Sequence, residues 1–340
     1  MKNTYLRCFY GGFGKLRVGK PAWKLFRPAL FLCVFFYCCL YHTTTIEKSQ
    51  DTIKTGKLAK IYKMFENCPN DGFIIKSEEN LYNARCKYMI KDIFEQVEKN
   101  INGLVNGGVG FSIPVTHEEI EYFKAERKIL DNRMFMPPCE WLPDNIADMK
   151  ILLLAGAGGQ QAPLLAALGA DVTVIDISDK MLEQDIMVAK RENLKINIEK
   201  GNICDLSRFN DEYFDLIINP PSLFYVPDVM PVFGECYRVL KINGIFIMTA
   251  PNPINYIYNY DSEKDIHILS NKLPFISYEH DEGCAESGWV EYGHTLDSYI
   301  GGQIKCGFAI IGFNEESEYD ADSSFDSGFT TRAIKCNFRK

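Results

Sequence analysis

The chain has 340 residues, 46% of them hydrophobic and 24% charged, which is enough to bury the core of one large domain with additions or of two modest ones. Its formal net charge of -8 at pH 7 repels a phosphate backbone and disfavours a nucleic-acid partner. The 12 cysteines contain no C-x-x-C pair and the 5 histidines stand apart from them, so no metal site is expected and the thiols read as buried and reduced.

Residues 1–28 are basic, the run ALFLCVFFYCCLY from Ala29 to Tyr41 is apolar, and HTTTIEKSQ follows. Basic, apolar, then polar is the layout of a signal peptide or signal anchor. The apolar run falls short of the roughly 20 residues that a bilayer needs. Residues 1–50 are therefore read as a segment that does not insert or as sequence upstream of the true start, and an anchor through residues 29–41 is the only route to a membrane.

Next comes a helical pattern. Leu81 to Ile101 place Met89, Ile93, Phe94, Val97 and Ile101 on one face, and GLVNGGVG ends the run. Thr116 with Glu119 forms a capping box for a helix that begins at His117. MPPCEWLPDN is a proline-rich connector. Residues 51–146 thus read as a helical extension that packs near the strands' C-terminal ends as a substrate lid. Its aromatics (Phe111, Tyr122, Phe123, Phe135, Trp141) are expected in a core rather than at a ligand.

From Lys150 strands and helices alternate. The strands are KILLLA, DVTVID, INIEKG, FDLIIN and GIFIMTA, and helical runs begin near Gln161, Ser178 and Asp228. Such alternation builds a parallel sheet with helices on both faces. Two further strands, GFAIIGFNEE and FTTRAIKCNF, flank an acidic stretch and suit an antiparallel pair. Residues 147–340 are expected to form this α/β domain.

In ILLLAGAGGQQ, small residues let the backbone turn and approach a ligand, and the following helix offers free N–H groups. DVTVID ends on Asp176, placed to take the two hydroxyls of a ribose. Together these favour a cofactor that contains a nucleoside. The dinucleotide fingerprint G-x-G-x-x-G fails because Gln161 stands at its last position, which argues against an NAD-dependent oxidoreductase.

KILLLAGAGG, VTVIDISDKML, GNICDL, FDLIINPP and VLKINGIFIM follow one another in an order that resembles the class I S-adenosylmethionine-dependent methyltransferases. GGQQ and the ending GHTLDSYIGGQIKCGFAIIGFNEE are similar to a bacterial subgroup of these enzymes. The resemblance implies a doubly wound, mostly parallel seven-stranded sheet with an antiparallel edge strand. It implies S-adenosyl-L-methionine as cofactor and a cytoplasmic enzyme. Ala155, Gly156, Ala157, Gly158 and Gly159 would line the methionine part of the cofactor. Asp176 would bind the ribose, Ile177 and Met181 would flank the adenine, and Asn202 and Ile203 would meet its edge. Asn219 would lie near the transferred methyl. The sequence departs from the family where Leu153 replaces an acid in the first strand and where Ala155 and Ala157 replace glycines.

The acceptor is expected to be a small molecule. Asn219-Pro220-Pro221-Ser222 resembles the N-P-P-aromatic motif of enzymes that methylate amino groups on adenine or glutamine, with Ser222 in place of the aromatic. That keeps an N-methyltransferase on a protein or nucleic acid as an alternative, and Leu153 keeps a non-catalytic cofactor-binding protein as another. His294, just before a helix-like run, is a candidate general base, or a histidine held in a local hydrogen bond. Tyr292, Gln160, Gln161 and Gln303 are candidate polar groups of the pocket or ordinary surface residues.

Overall fold

The structure, a computed structural model, describes residues 93–130, 136–261, 264, 266–277, 290–316 and 328–337. The expectations for residues 1–50, for the start of the first helix and for Phe135 lie outside these residues.

The extension supplies two helices. α1 runs through residues 93–106 and ends in a turn at Gly107 and Gly108, the latter with φ 72°. Its periodic residues Val97 and Ile101 pack on Met181. α2, His117–Glu126, begins with the capping box read from the sequence. The Thr116 hydroxyl accepts from the Glu119 N–H at 3.2 Å, and the Glu119 carboxylate accepts from the Thr116 N–H at 2.7 Å. Two of the four orphan donors of this helix end are thereby satisfied.

β1 (Lys150–Leu154), α3 (Gln161–Ala167), β2 (Asp171–Asp176), α4 (Asp179–Arg191), β3 (Ile196–Lys200), β4 (Phe214–Asn219), α5 (Met230–Val239) and β5 (Leu240–Pro251) follow in order. Two short antiparallel ribbons come next, β6 (Tyr258–Asp261) with β7 (Ile266–Leu269) and β8 (Phe275–Ile276) with β9 (Tyr292–Gly293). A π-helical turn, Asp297–Gly301, runs into α6 (Gly302–Cys306), and β10 (Phe308–Glu316) and β11 (Gly328–Lys335) close the fold. The main sheet has the order β10-β11-β5-β4-β1-β2-β3. β1 to β5 are parallel; β11 is antiparallel to β5 and to β10, which forms the edge.

The continuous apolar runs of the sequence are explained by burial on both faces. Ile151, Leu153, Val172, Val174, Leu216 and Ile218 meet α2, α3 and α4 on one side. Leu152, Leu154, Ile175 and Ile217 alternate with them and meet Val232, Phe233, Cys236 and Val239 of α5 on the other. Strand order reverses between β1 and β4, which opens a crevice at their C-terminal ends.

One local expectation is corrected. The sequence places a glycine turn in VLKINGIFIM, but α5 passes directly into β5. The strand bulges between Leu240, opposite Phe214, and Ile245, opposite Leu216. Asn243, not Gly244, takes the left-handed conformation, with φ 65°. Gly244 is required for room, because a Cβ there would lie 2.8 Å from the Leu240 side chain and the Lys241 carbonyl.

Thr116→Ala should destabilise the protein by about 1 kcal/mol through loss of the cap. Urea unfolding followed by circular dichroism checks this, and an unchanged midpoint would mean that α2 does not depend on its box.

Candidate active site

The crevice holds a cavity of about 210 Å³. Its floor is the loop after β1. That loop is left-handed at Ala155 (φ 55°), Ala157 (φ 51°), Gly158 (φ 54°) and Gly159 (φ 73°). Only Gly156 keeps an ordinary backbone, and a Cβ there would make an ordinary contact with Leu153 at 3.5 Å. The two alanines thus sit where glycine is normally required, each at a cost of the order of 1 kcal/mol. Gly158 and Gly159 have no such latitude. A Cβ on Gly158 would come within 2.5 Å of Gln184 Oε1, and one on Gly159 within 3.0 Å of Pro114 and Val188.

The loop is pinned from outside the sheet. Asp185 of α4 is fully buried and its Oδ1 accepts the Gly159 N–H at 2.7 Å. The Gly159 carbonyl accepts from Val115 N at 2.9 Å. Gln160, also fully buried, donates through Nε2 to the carbonyls of Phe111 and Ile113, both at 2.8 Å. Leu153, at the position of the family's acid, is fully buried among apolar neighbours.

Ala155, Ala157, Asp176, Ile177, Met181, Asn202 and Ile203 all line the cavity. Gly156, Gly158 and Gly159 lie in the loop behind the two alanines and do not line it. Asp176 ends β2 and is buried, and its Oδ1 accepts from Ser178 N at 2.7 Å. Burial pushes its carboxyl up to about 7 against the pull of the Ser178 and Ile177 N–H groups. The hydroxyls of a ribose would add donors to this carboxyl and favour its ionised form. Asn202 caps its own turn, its Oδ1 accepting from Cys204 N at 2.9 Å. Ile177 and Met181 present apolar surface on which a base can lie. The residues present therefore fit a nucleoside cofactor.

The two candidate catalytic residues lie behind the cavity wall. Asn219 is fully buried at the end of β4. Its Nδ2 donates to the Leu154 carbonyl at 3.2 Å and to Ser222 Oγ at 2.8 Å, and its Oδ1 has no hydrogen-bond partner. Pro220, Pro221 and Ser222 do line the cavity. His294 is buried, and its Nε2 lies 2.9 Å from the Val226 carbonyl and 3.2 Å from the Leu223 carbonyl. Two carbonyl neighbours require that Nε2 carry the proton and donate. Burial holds the ring below its ordinary pKa. His294 thus fixes the turn Leu223–Tyr225, whose Phe224 and Tyr225 form part of the wall. Gln303 is also internal, donating to the Tyr299 carbonyl and to Thr331 Oγ1 at 3.1 Å each. Tyr292 is buried against His294.

Several site residues were not foreseen. Phe111, expected in a core, lines the cavity, as do Phe94, Val97 and Ile101 of α1. Their helical spacing was visible, but an apolar stripe does not reveal whether it covers a core or a ligand. Asn102 of α1 accepts from Ser178 Oγ at 2.7 Å and from Lys180 N at 3.2 Å, tying α1 to the start of α4. Asp185 lay inside an amphipathic helix, where an acid reads as solvated. Among the described residues no group of His, Cys, Asp and Glu side chains is arranged to hold a metal ion.

Comparison with known proteins follows the same lines. Residues 153–248 match a family model described as a methyltransferase domain. The chain is 40% identical over 206 residues to the uncharacterized methyltransferase YbaJ of Bacillus subtilis, covering 58% of this chain and 80% of that one. It is 29% identical over 115 residues to a ubiquinone biosynthesis O-methyltransferase of Nitrosomonas europaea, covering 33% of this chain and 49% of the relative. A solved S-adenosylmethionine dependent methyltransferase from Mesorhizobium loti superposes with a TM-score of 0.48 at 20% identity, covering 57% of this chain and 94% of the other. The chain belongs to the class I S-adenosylmethionine-dependent methyltransferases. It is an enzyme of that class, and S-adenosylmethionine is its cofactor.

Two outcomes follow from this geometry. Ala157→Gly should relieve a left-handed alanine and raise stability by about 0.5–1 kcal/mol, read as a higher urea midpoint. A lower midpoint would show that the methyl's packing outweighs the strain. The Asp176 carboxyl must be ionised to accept two hydroxyls, so affinity for S-adenosylhomocysteine should rise as pH increases through about 7. Calorimetric titration should show roughly a tenfold gain between pH 6 and pH 8, absent in Asp176→Asn.

Proposed function

We propose that the enzyme methylates a small, neutral, largely apolar acceptor that enters the cavity beside the cofactor. The observation that carries this reading is the character of the wall. Phe94, Phe111, Pro220, Pro221, Phe224 and Tyr225 all contribute to the lining. Among the described residues, the only titratable side chains in the lining are Asp176 and Tyr225. Burial raises the Tyr225 phenol well above its ordinary pKa, so it stays protonated and can donate. A charged acceptor finds no counter-charge in this lining beyond the carboxyl assigned to the ribose.

The cofactor supplies an activated methyl on a sulfonium. In this reading the chain binds, aligns and keeps water out. Ala155 and Ala157 bring the backbone close to the methionine part, Asp176 accepts the ribose hydroxyls, and Ile177 and Met181 sandwich the base. Asn202 and Ile203 take the adenine edge. Pro220 and Pro221 set the rim on the acceptor side, and α1 with Phe111 covers it. Exclusion of water and orientation of two reactants are the main levers such a site has.

Amine methylation through the Asn219 segment draws less support. Both Asn219 amide protons have acceptors in Leu154 and Ser222, and Ser222 rather than an aromatic directly follows the prolines. The net charge of -8 also works against nucleic acid. Two relatives carry the names ubiquinone biosynthesis O-methyltransferase and sterol 24-C-methyltransferase, which is in keeping with this reading.

The test is a methyl-transfer screen with labelled cofactor over neutral phenols, quinols and lipids, set against peptide amines and oligonucleotides. Turnover is expected in the first group, with Phe224→Ala raising KM for the acceptor about tenfold, as loss of a buried aromatic contact of about 1.4 kcal/mol would. Turnover confined to amines or nucleic acid would overturn the reading.

A further inference from the structure

The cofactor loop presents a mechanical problem. The backbone is left-handed at four of five consecutive positions. The sheet takes the first N–H of the run, Ala155 donating to the Ile175 carbonyl of β2 at 2.8 Å, but the Gly159 N–H finds its acceptor elsewhere. β1 offers no polar side chain to it, since Ile151 to Leu154 are all apolar and fully buried. The acceptor comes instead from the helix side. Asp185 of α4 has no exposed surface, and its Oδ1 takes the Gly159 N–H at 2.7 Å. Its Oδ2 has no hydrogen-bond partner. A buried carboxyl that spends one oxygen on a loop and leaves the other unpaired is costly for the fold alone. An alanine or leucine there would serve packing better, and the ordinary expectation for an acid in an amphipathic helix is exposure.

We propose that Asp185 is a positioning residue for the cofactor's amino-carboxypropyl chain: it holds the Gly159 N–H, and with it the left-handed loop, in the conformation that this chain requires. The proposal rests on the reading that the 155–159 loop receives the methionine part and Asp176 the nucleoside. Asp185 acts through Gly159 and does not line the cavity. Its effect is therefore confined to the loop, while Asp176, Ile177 and Met181 hold the nucleoside from β2 and the start of α4.

Ligands that differ in this chain separate the two halves of the site. The full-length protein is titrated calorimetrically with S-adenosylmethionine, S-adenosylhomocysteine and 5′-methylthioadenosine, which lacks the amino-carboxypropyl chain. Asp185→Ala should weaken the first two about 10-fold, the value of one lost hydrogen bond. It should leave 5′-methylthioadenosine within about threefold. Asp185→Asn keeps an oxygen acceptor for the Gly159 N–H and should restore all three to near wild-type affinity. Should the alanine variant not fold, Asp185→Ser, whose hydroxyl is one atom too short, is read the same way. Equal weakening of all three ligands, or of none, overturns the proposal. Asp176→Ala is the internal control. Loss of all three ligands in that variant upholds the placement of the nucleoside whatever Asp185 does, and unchanged binding there would sink the site reading itself.

Discussion

Everything at this site depends on a backbone conformation that most residues avoid. Ala155, Ala157, Gly158 and Gly159 are left-handed within one loop, and a chain of L-residues does not hold such a run without external restraint. The restraints are few. Asp185 takes one N–H of the loop, Val115 donates to one carbonyl, and Gln160 fastens the segment that carries Phe111. The layered core beneath provides rigidity, since β1 is buried on both faces and cannot shift to relax the turn above it.

The electrostatics of the site follow from the same arrangement. Two carboxyls, Asp176 and Asp185, are buried, and desolvation pushes them up to about 7 and about 8, the charge of Asp176 adding to the rise at Asp185. A free enzyme near neutral pH therefore carries less negative charge in its core than its sequence suggests. Around that polar end the cavity is hydrocarbon and aromatic ring. This division, with donors and acceptors at one side and apolar wall at the other, is what a pocket for a nucleoside cofactor and an apolar acceptor requires.

Much of this was legible in the residues. Burial on both faces of a doubly wound sheet leaves nearly continuous apolar runs, which marked β1, β2, β4 and β5, while the edge strand β3 alternates. Small residues followed by Asp176 marked one side of the cavity, and Thr116 with Glu119 marked α2. What stayed hidden depended on long-range geometry. Phe94 and Phe111 read as core because apolar surface against a ligand and against a protein have the same signature. His294 read as a base, yet it sits between two carbonyls contributed by residues about 70 positions earlier. Asp185 gave no signal, because its partner Gly159 is 26 positions away and nothing in an amphipathic pattern distinguishes an inward acid. The glycine turn expected in VLKINGIFIM is a bulge whose left-handed residue is Asn243, since asparagine tolerates positive φ better than most residues.

Gln160 has a consequence for modularity. By sequence pattern an extension divides from the α/β domain near residue 147, yet Ser77–Lys340 form one compact unit and the amide of Gln160 finds both of its acceptors at Phe111 and Ile113. A fragment that began at β1 would leave those two donors buried and unpaired, at a cost of roughly 1–3 kcal/mol, beside the loop that can least absorb it. The extension is therefore not a portable attachment. Transplanted onto another sheet of the same topology it would lack the glutamine that holds it, and the sheet without it would lack one side of its own cofactor loop.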